Sequence, residues 1–103
     1  MPSGGKERLM LEKDITNAIL RYLKTVPGCF CWKQSGEMYG TAGLPDIICC
    51  INGAFVAFEV KTPSGKLTTL QESTLRKINA AKGKACKVTS LQEVKEIITE
   101  FNS

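Results

Sequence analysis

The chain has 103 residues, 43% hydrophobic and 23% charged, a length and balance that suit one globular unit and exclude wholesale disorder. Its net charge is +4 and it has no histidine, which removes Ser-His-Asp and Cys-His nucleophile systems, His-ligated zinc and imidazole acid–base chemistry. No apolar run approaches the roughly 18 residues of a bilayer crossing and no signal-peptide pattern opens the chain, so a soluble, cytoplasmic protein without a membrane partner is expected.

Met1 to Gly5 reads as a loose tail and 6–103 as a single domain. From Lys6 to about Val26, Leu11, Ile15, Ala18, Ile19, Tyr22, Leu23 and Val26 recur at helical spacing, and Pro27-Gly28 stops the run. Cys29 to Gln34 reads as a strand and the glycine-bearing stretch Ser35 to Leu44 as a loop. Asp46 to Ile51 and Ala54 to Lys61 are two apolar strands joined by Asn52-Gly53, a strong hairpin signal. Thr62 to Lys66 is a turn. Thr68 opens a second helix with a Thr68-x-x-Gln71 capping box and a stripe of Leu70, Leu75, Ile78 and Ala81, and Gly83 ends it. Ala85 to Thr89 is a fourth strand, and Ser90 caps a last helix from Leu91 to Phe101. The order α-β-β-β-α-β-α, a meander followed by a helical crossover, implies an α/β (mixed α+β) fold with a four-stranded mixed sheet flanked by helices.

Charge is uneven: residues 59–87 hold Lys61, Lys66, Arg76, Lys77, Lys82, Lys84 and Lys87 against two acidic groups, which suggests an anionic partner such as nucleic acid. The five cysteines, at 29, 31, 49, 50 and 86, lack the spacing of a zinc knuckle or a CxxC redox site and read as small hydrophobes in a reducing compartment.

The hairpin carries the chemistry. A two-residue turn at Asn52-Gly53 pairs Ile51 with Ala54 and Cys50 with Phe55, and continued outward it sets Asp46 opposite Glu59, with Cβ atoms about 4.5–5.5 Å apart. Two bare carboxylates that close repel, and a divalent cation removes the conflict. Lys61 falls on the same face roughly 6.6 Å further along, where an ammonium can hold a metal-bound water or neutralise a phosphate under attack. On the first helix Glu12 falls inside the apolar arc of about 140°, where a carboxylate needs a partner; the alternative is that it lies at the helix start and reaches water. Gln71 lies on the inner side of the second helix, able both to close the capping box and to orient a water or phosphate.

Gly43-Leu44-Pro45-Asp46, Glu59-Val60-Lys61 after a hairpin and Gln71 in a helix resemble the PD-(D/E)xK nuclease superfamily. The stretch from Glu59 to Thr68 with Gln71, followed by the helix to Ala80-Ala81-Lys82-Gly83, resembles its VRR-NUC branch, the virus-type replication–repair nucleases. The resemblance spans Glu12 to the last helix. It implies a restriction-endonuclease-like α-β-β-β-α-β core with a C-terminal helix and Mg²⁺- or Mn²⁺-dependent endonucleolytic cleavage of DNA, without a nucleotide cofactor. Asp46, Glu59, the Val60 carbonyl and Glu12 would then serve the metal, Lys61 the nucleophilic water, and Gln71 a water or phosphate. Stand-alone members resemble Holliday-junction resolvases, so the resemblance also implies branched DNA, a homodimer, and a bacterial or phage-infected host cell. Ser35 to Thr41 lacks the arginine frequent before the Pro-Asp of such families, and Lys33, Ser35, Lys66, Arg76 and Lys77 are the candidate phosphate contacts. The alternative from another class is a DNA-binding module that keeps the fold without catalysis; a small dithiol protein is disfavoured by the cysteine spacing.

Overall fold

The computed structural model describes residues 11–34 and 42–101. The expected tail, the start of the expected first helix from Lys6 to Met10, and Ser35 to Thr41 lie outside them.

Helix α1 spans Glu12–Leu23 and buries Ile15, Thr16, Ile19 and Leu23. Thr16 tolerates burial because its hydroxyl donates to the Glu12 carbonyl at 2.8 Å. The helix stops three residues before the expected Val26. The Thr25 and Val26 amides tighten onto Tyr22 and Leu23, and Gly28 reverses the chain at φ +76°. Val26 is nonetheless buried.

Strands β1 (Cys29–Lys33), β2 (Ile47–Ile51), β3 (Ala54–Val60) and β4 (Lys84–Val88) form one sheet in the order β1-β2-β3-β4. The first two pairings are antiparallel and the last is parallel, through helix α2 (Thr69–Ala80). Helix α3 (Leu91–Ile98) follows, and the expected continuation to Phe101 is a 3₁₀ turn, Thr99–Phe101. The hairpin register is the one its turn dictates: Ile51 faces Ala54, Cys50 faces Phe55, and Ile47 faces Phe58. Asn52 (φ 49°) and Gly53 (φ 88°) both adopt the left-handed backbone that a two-residue turn of this kind needs.

Alternation then assigns the faces. Ile47, Cys49, Ile51, Val56, Phe58 and Val60 pack with Ile15, Ile19, Leu23, Val94 and Ile98, so α1 and α3 cover one face. Ile48, Ala57 and Ala85 pack with Leu75, so α2 covers the other. That second core is small. Leu70, expected in the buried stripe of α2, is about half exposed, and Ala81 is exposed, because only the stripe centred on Leu75 meets the sheet. Among the described residues no helix is long and apolar enough to cross a membrane.

Candidate functional site

Asp46 lies one residue before β2, so its side chain continues the Ile48–Cys50 side of the strand toward α2. Its backbone carbonyl accepts from the Gln34 amide at 2.7 Å, and its Oδ2 accepts from the Val60 amide at 2.8 Å. The segment ahead of it is fixed from two sides. Pro45 is fully buried, and Gly43, at φ +83°, passes so close to α2 that a Cβ there would sit 2.7 Å from Leu70 Cγ.

Glu59 projects from β3 to the same face and is 3% exposed. Burial first, then the Asp46 charge and hydrogen bond, and lastly the Glu12 charge push its carboxyl up to about 8, against the opposing pull of Lys61. The two carboxyl groups are therefore neighbours that compete for a proton. Lys61 Nζ stands 3.8 Å from Glu59 Oε2. Gln71 bridges the site to the helix start: its Nε2 donates to Glu59 Oε2 at 3.1 Å, while its Oε1 accepts from the Thr68 amide at 2.9 Å. Thr68 Oγ1 in turn accepts from the Gln71 amide at 3.1 Å, so the expected capping box and the inward-facing role are one arrangement.

Glu12 departs from its expected burial. It is the first residue of α1 and exposed, as its alternative reading held, although its charge still reaches Glu59. Among the candidate phosphate contacts, Lys66 is exposed on the turn after β3, and Arg76 and Lys77 are exposed on α2. Lys33 pairs with Ile47 on β1 and so belongs to the face opposite the carboxylates. Ser35 lies outside the described residues.

Lys87 is an addition. It is the parallel partner of Glu59 on β4, and its Nζ donates to the Gly65 carbonyl at 3.1 Å, tying the turn after Lys61 to the sheet. Composition marks it only as one of many lysines; its place beside Glu59 needs the parallel register, which no local pattern encodes.

The five cysteines are free thiols. Burial raises the pKa values of Cys29, Cys49 and Cys86, which keeps them protonated and unreactive. Cys50 differs from the expectation: its side chain is exposed, on the face that α2 only partly covers.

No family model matches the chain, and no curated protein matches it. Solved structures do. One titled "VRR_NUC domain" aligns with 87% of this chain and 96% of its own length, at a TM-score of 0.73 and 21% identity. Another, "VRR_NUC domain protein", aligns with 89% of this chain and 88% of its own length, at a TM-score of 0.73 and 16% identity. The chain has the fold of these VRR-NUC domains, built on the mixed four-stranded sheet and flanking helices described above.

Proposed function

We propose that the protein is a Mg²⁺- or Mn²⁺-dependent endonuclease that hydrolyses DNA phosphodiester bonds. The carrying observation is the Asp46–Glu59 pair: two carboxyl groups held together at the end of a hairpin, one of them buried and retaining its proton to about pH 8. Such a pair brings carboxyl oxygens from two neighbouring strands to one place. Its oxygen-only donors suit a hard cation. Among the described residues no group of three His, Cys, Asp or Glu side chains is placed to hold an ion alone. That fits a cation such as Mg²⁺, which binds through one or two carboxylates, keeps several waters and takes phosphate oxygens from its substrate.

Asp46 and Glu59 would hold the ion with the Val60 carbonyl, and Glu12, exposed at the rim, would reach it through water. Bound there, the cation supplies charge for the scissile phosphate and lowers the pKa of a water. The chain's own groups do the rest. Lys61 Nζ offers donors to the attacking water and to charge building on the phosphate. Gln71, fixed at both ends of its amide, keeps Glu59 in one orientation. Attack of water on phosphorus forms one P–O bond and breaks the bond to the leaving sugar oxygen, leaving a phosphate on one end and a hydroxyl on the other.

Branched DNA and a homodimer extend the proposal, because two copies can address paired strands of a junction. The five free thiols support a reducing compartment such as the cytoplasm. The test is nicking of plasmid and four-way-junction DNA with Mg²⁺ or with EDTA. Cleavage that needs the cation and favours the junction supports the reading; binding without cutting under every metal condition would leave the non-catalytic module in its place.

A further inference from the structure

The sheet face that α2 leaves open is aromatic. Phe30, Trp32 and Phe55 are 70%, 42% and 45% exposed, although all three sit on strands. The register makes them neighbours: Phe30 pairs with Cys50 on β2, which pairs with Phe55 on β3. Phe30 and Trp32 rings lie 5.6 Å apart, and Phe30 and Phe55 stand two strands apart, about 10 Å. The face continues along β2 to Asp46, four residues from Cys50 and so about 13 Å away.

One wall of this shelf is the flank of α2. Gly43 packs on Leu70 and Thr74, so that flank overlooks the loop entering β2. Lys77, seven residues after Leu70, continues the same stripe two turns on and is exposed. At the far end a Cβ on Gly83 would stand 3.1 Å from Phe55 Cδ1, and the residue before Gly83 in the chain is the exposed Lys82. Among the described residues nothing walls the outer side, where β1 is the edge strand.

We propose that this shelf stacks the unpaired bases of a single-stranded DNA segment leading to the Asp46–Glu59 site, an inference that rests on DNA being the ligand of that site. Rings with lysines along one wall suit a strand that presents π-faces on one side and phosphates on the other. A second copy of the chain fits less well. Three half-exposed rings present on the order of 300 Å², against about 800 Å² per partner in a stable interface, and two copies would bring the same lysines together. The shelf then adds affinity for branched DNAs that carry an unpaired segment beside the cut, such as a flap, without any base reading.

Trp32 is the chain's single tryptophan, so fluorescence excited selectively at the indole, clear of the two tyrosines, reports on this face. The full chain is titrated in EDTA with a short oligothymidylate and with a duplex of equal length, which separates binding from cleavage. The single strand is expected to quench Trp32 and the duplex to do so far less. Phe30→Ala and Phe55→Ala each weaken single-strand binding about tenfold, the loss of one stacked base. Both rings are exposed, and unchanged circular dichroism and melting temperature confirm that the variants fold. Equal quenching by duplex, or unaltered affinity in both variants, overturns the proposal. So does a dimer on gel filtration that Phe30→Asp dissociates, since a second copy then owns the face. Quenching without any Mg²⁺-dependent cleavage keeps the shelf and removes the nuclease reading instead.

Discussion

Glu59 is where burial and charge conflict most sharply. Its carboxyl keeps a proton in the folded chain to about pH 8, whereas an unfolded glutamate releases it near its ordinary value of 4.5. Between those values the folded state binds more protons than the unfolded state, so stability falls as pH rises from about 4.5 to about 8 in EDTA. Thermal melting across that range checks the sign. Glu59→Gln, which keeps an acceptor for Gln71 and loses the charge, is expected to flatten the dependence and to raise the melting temperature at pH 8. Asp46→Ala, Glu59→Ala and Lys61→Ala are each expected to lower cleavage by about 100-fold or more. Single-turnover assays with matched DNA binding distinguish that loss from a failure to bind. Full activity of Asp46→Ala in Mg²⁺ contradicts its role.

At the scale of elements, the site depends on two local devices. The first is the α2 capping box, which fixes Gln71 through its amide oxygen while its nitrogen holds Glu59. Thr68→Ala is expected to cost about 1 kcal/mol of stability and to lower cleavage, because the Gln71 amide loses the Thr68 hydroxyl that anchors the first turn of α2; Thr68→Ser restores both in melting and cleavage assays. The second is the close passage of Gly43 beneath α2. Gly43→Ala places a Cβ against Leu70 and forces a left-handed alanine, so Asp46 shifts and activity falls together with melting temperature. The hairpin was legible from Asn52-Gly53 alone, since a two-residue turn leaves one register and that register brings Asp46 and Glu59 together. The neighbourhood of Glu59 beyond the hairpin was not. Lys87 enters through a parallel pairing across a crossover, and the exposure of Glu12 depends on where α1 starts, which periodicity does not fix. The apolar strand pattern also could not show that Phe30, Trp32 and Phe55 are exposed, because among the described residues a single helix packs on that face of the four-stranded sheet.

The whole molecule is an α/β sandwich in which the α1/α3 side supplies most of the buried core and the α2 side carries the Asp46–Glu59 pair. This division explains how a small chain tolerates a buried Glu59 beside a half-buried Asp46: the larger core on the far face holds the sheet, and the cost falls on the thinner layer. A bound cation reverses that cost. Mg²⁺ at 100 times its dissociation constant is expected to add about 2.7 kcal/mol of stability, seen as a rise in melting temperature that is largest near pH 8 and absent in the Asp46→Ala, Glu59→Ala double variant. The central claim, that residues from two neighbouring strands form one cation site, is tested most directly by Mn²⁺ titration followed by electron paramagnetic resonance. Wild-type protein is expected to bind Mn²⁺, Mg²⁺ to displace it, and either Asp46→Ala or Glu59→Ala to abolish binding. Mn²⁺ retained equally by both single variants, or none held by the wild type at neutral pH, would contradict it.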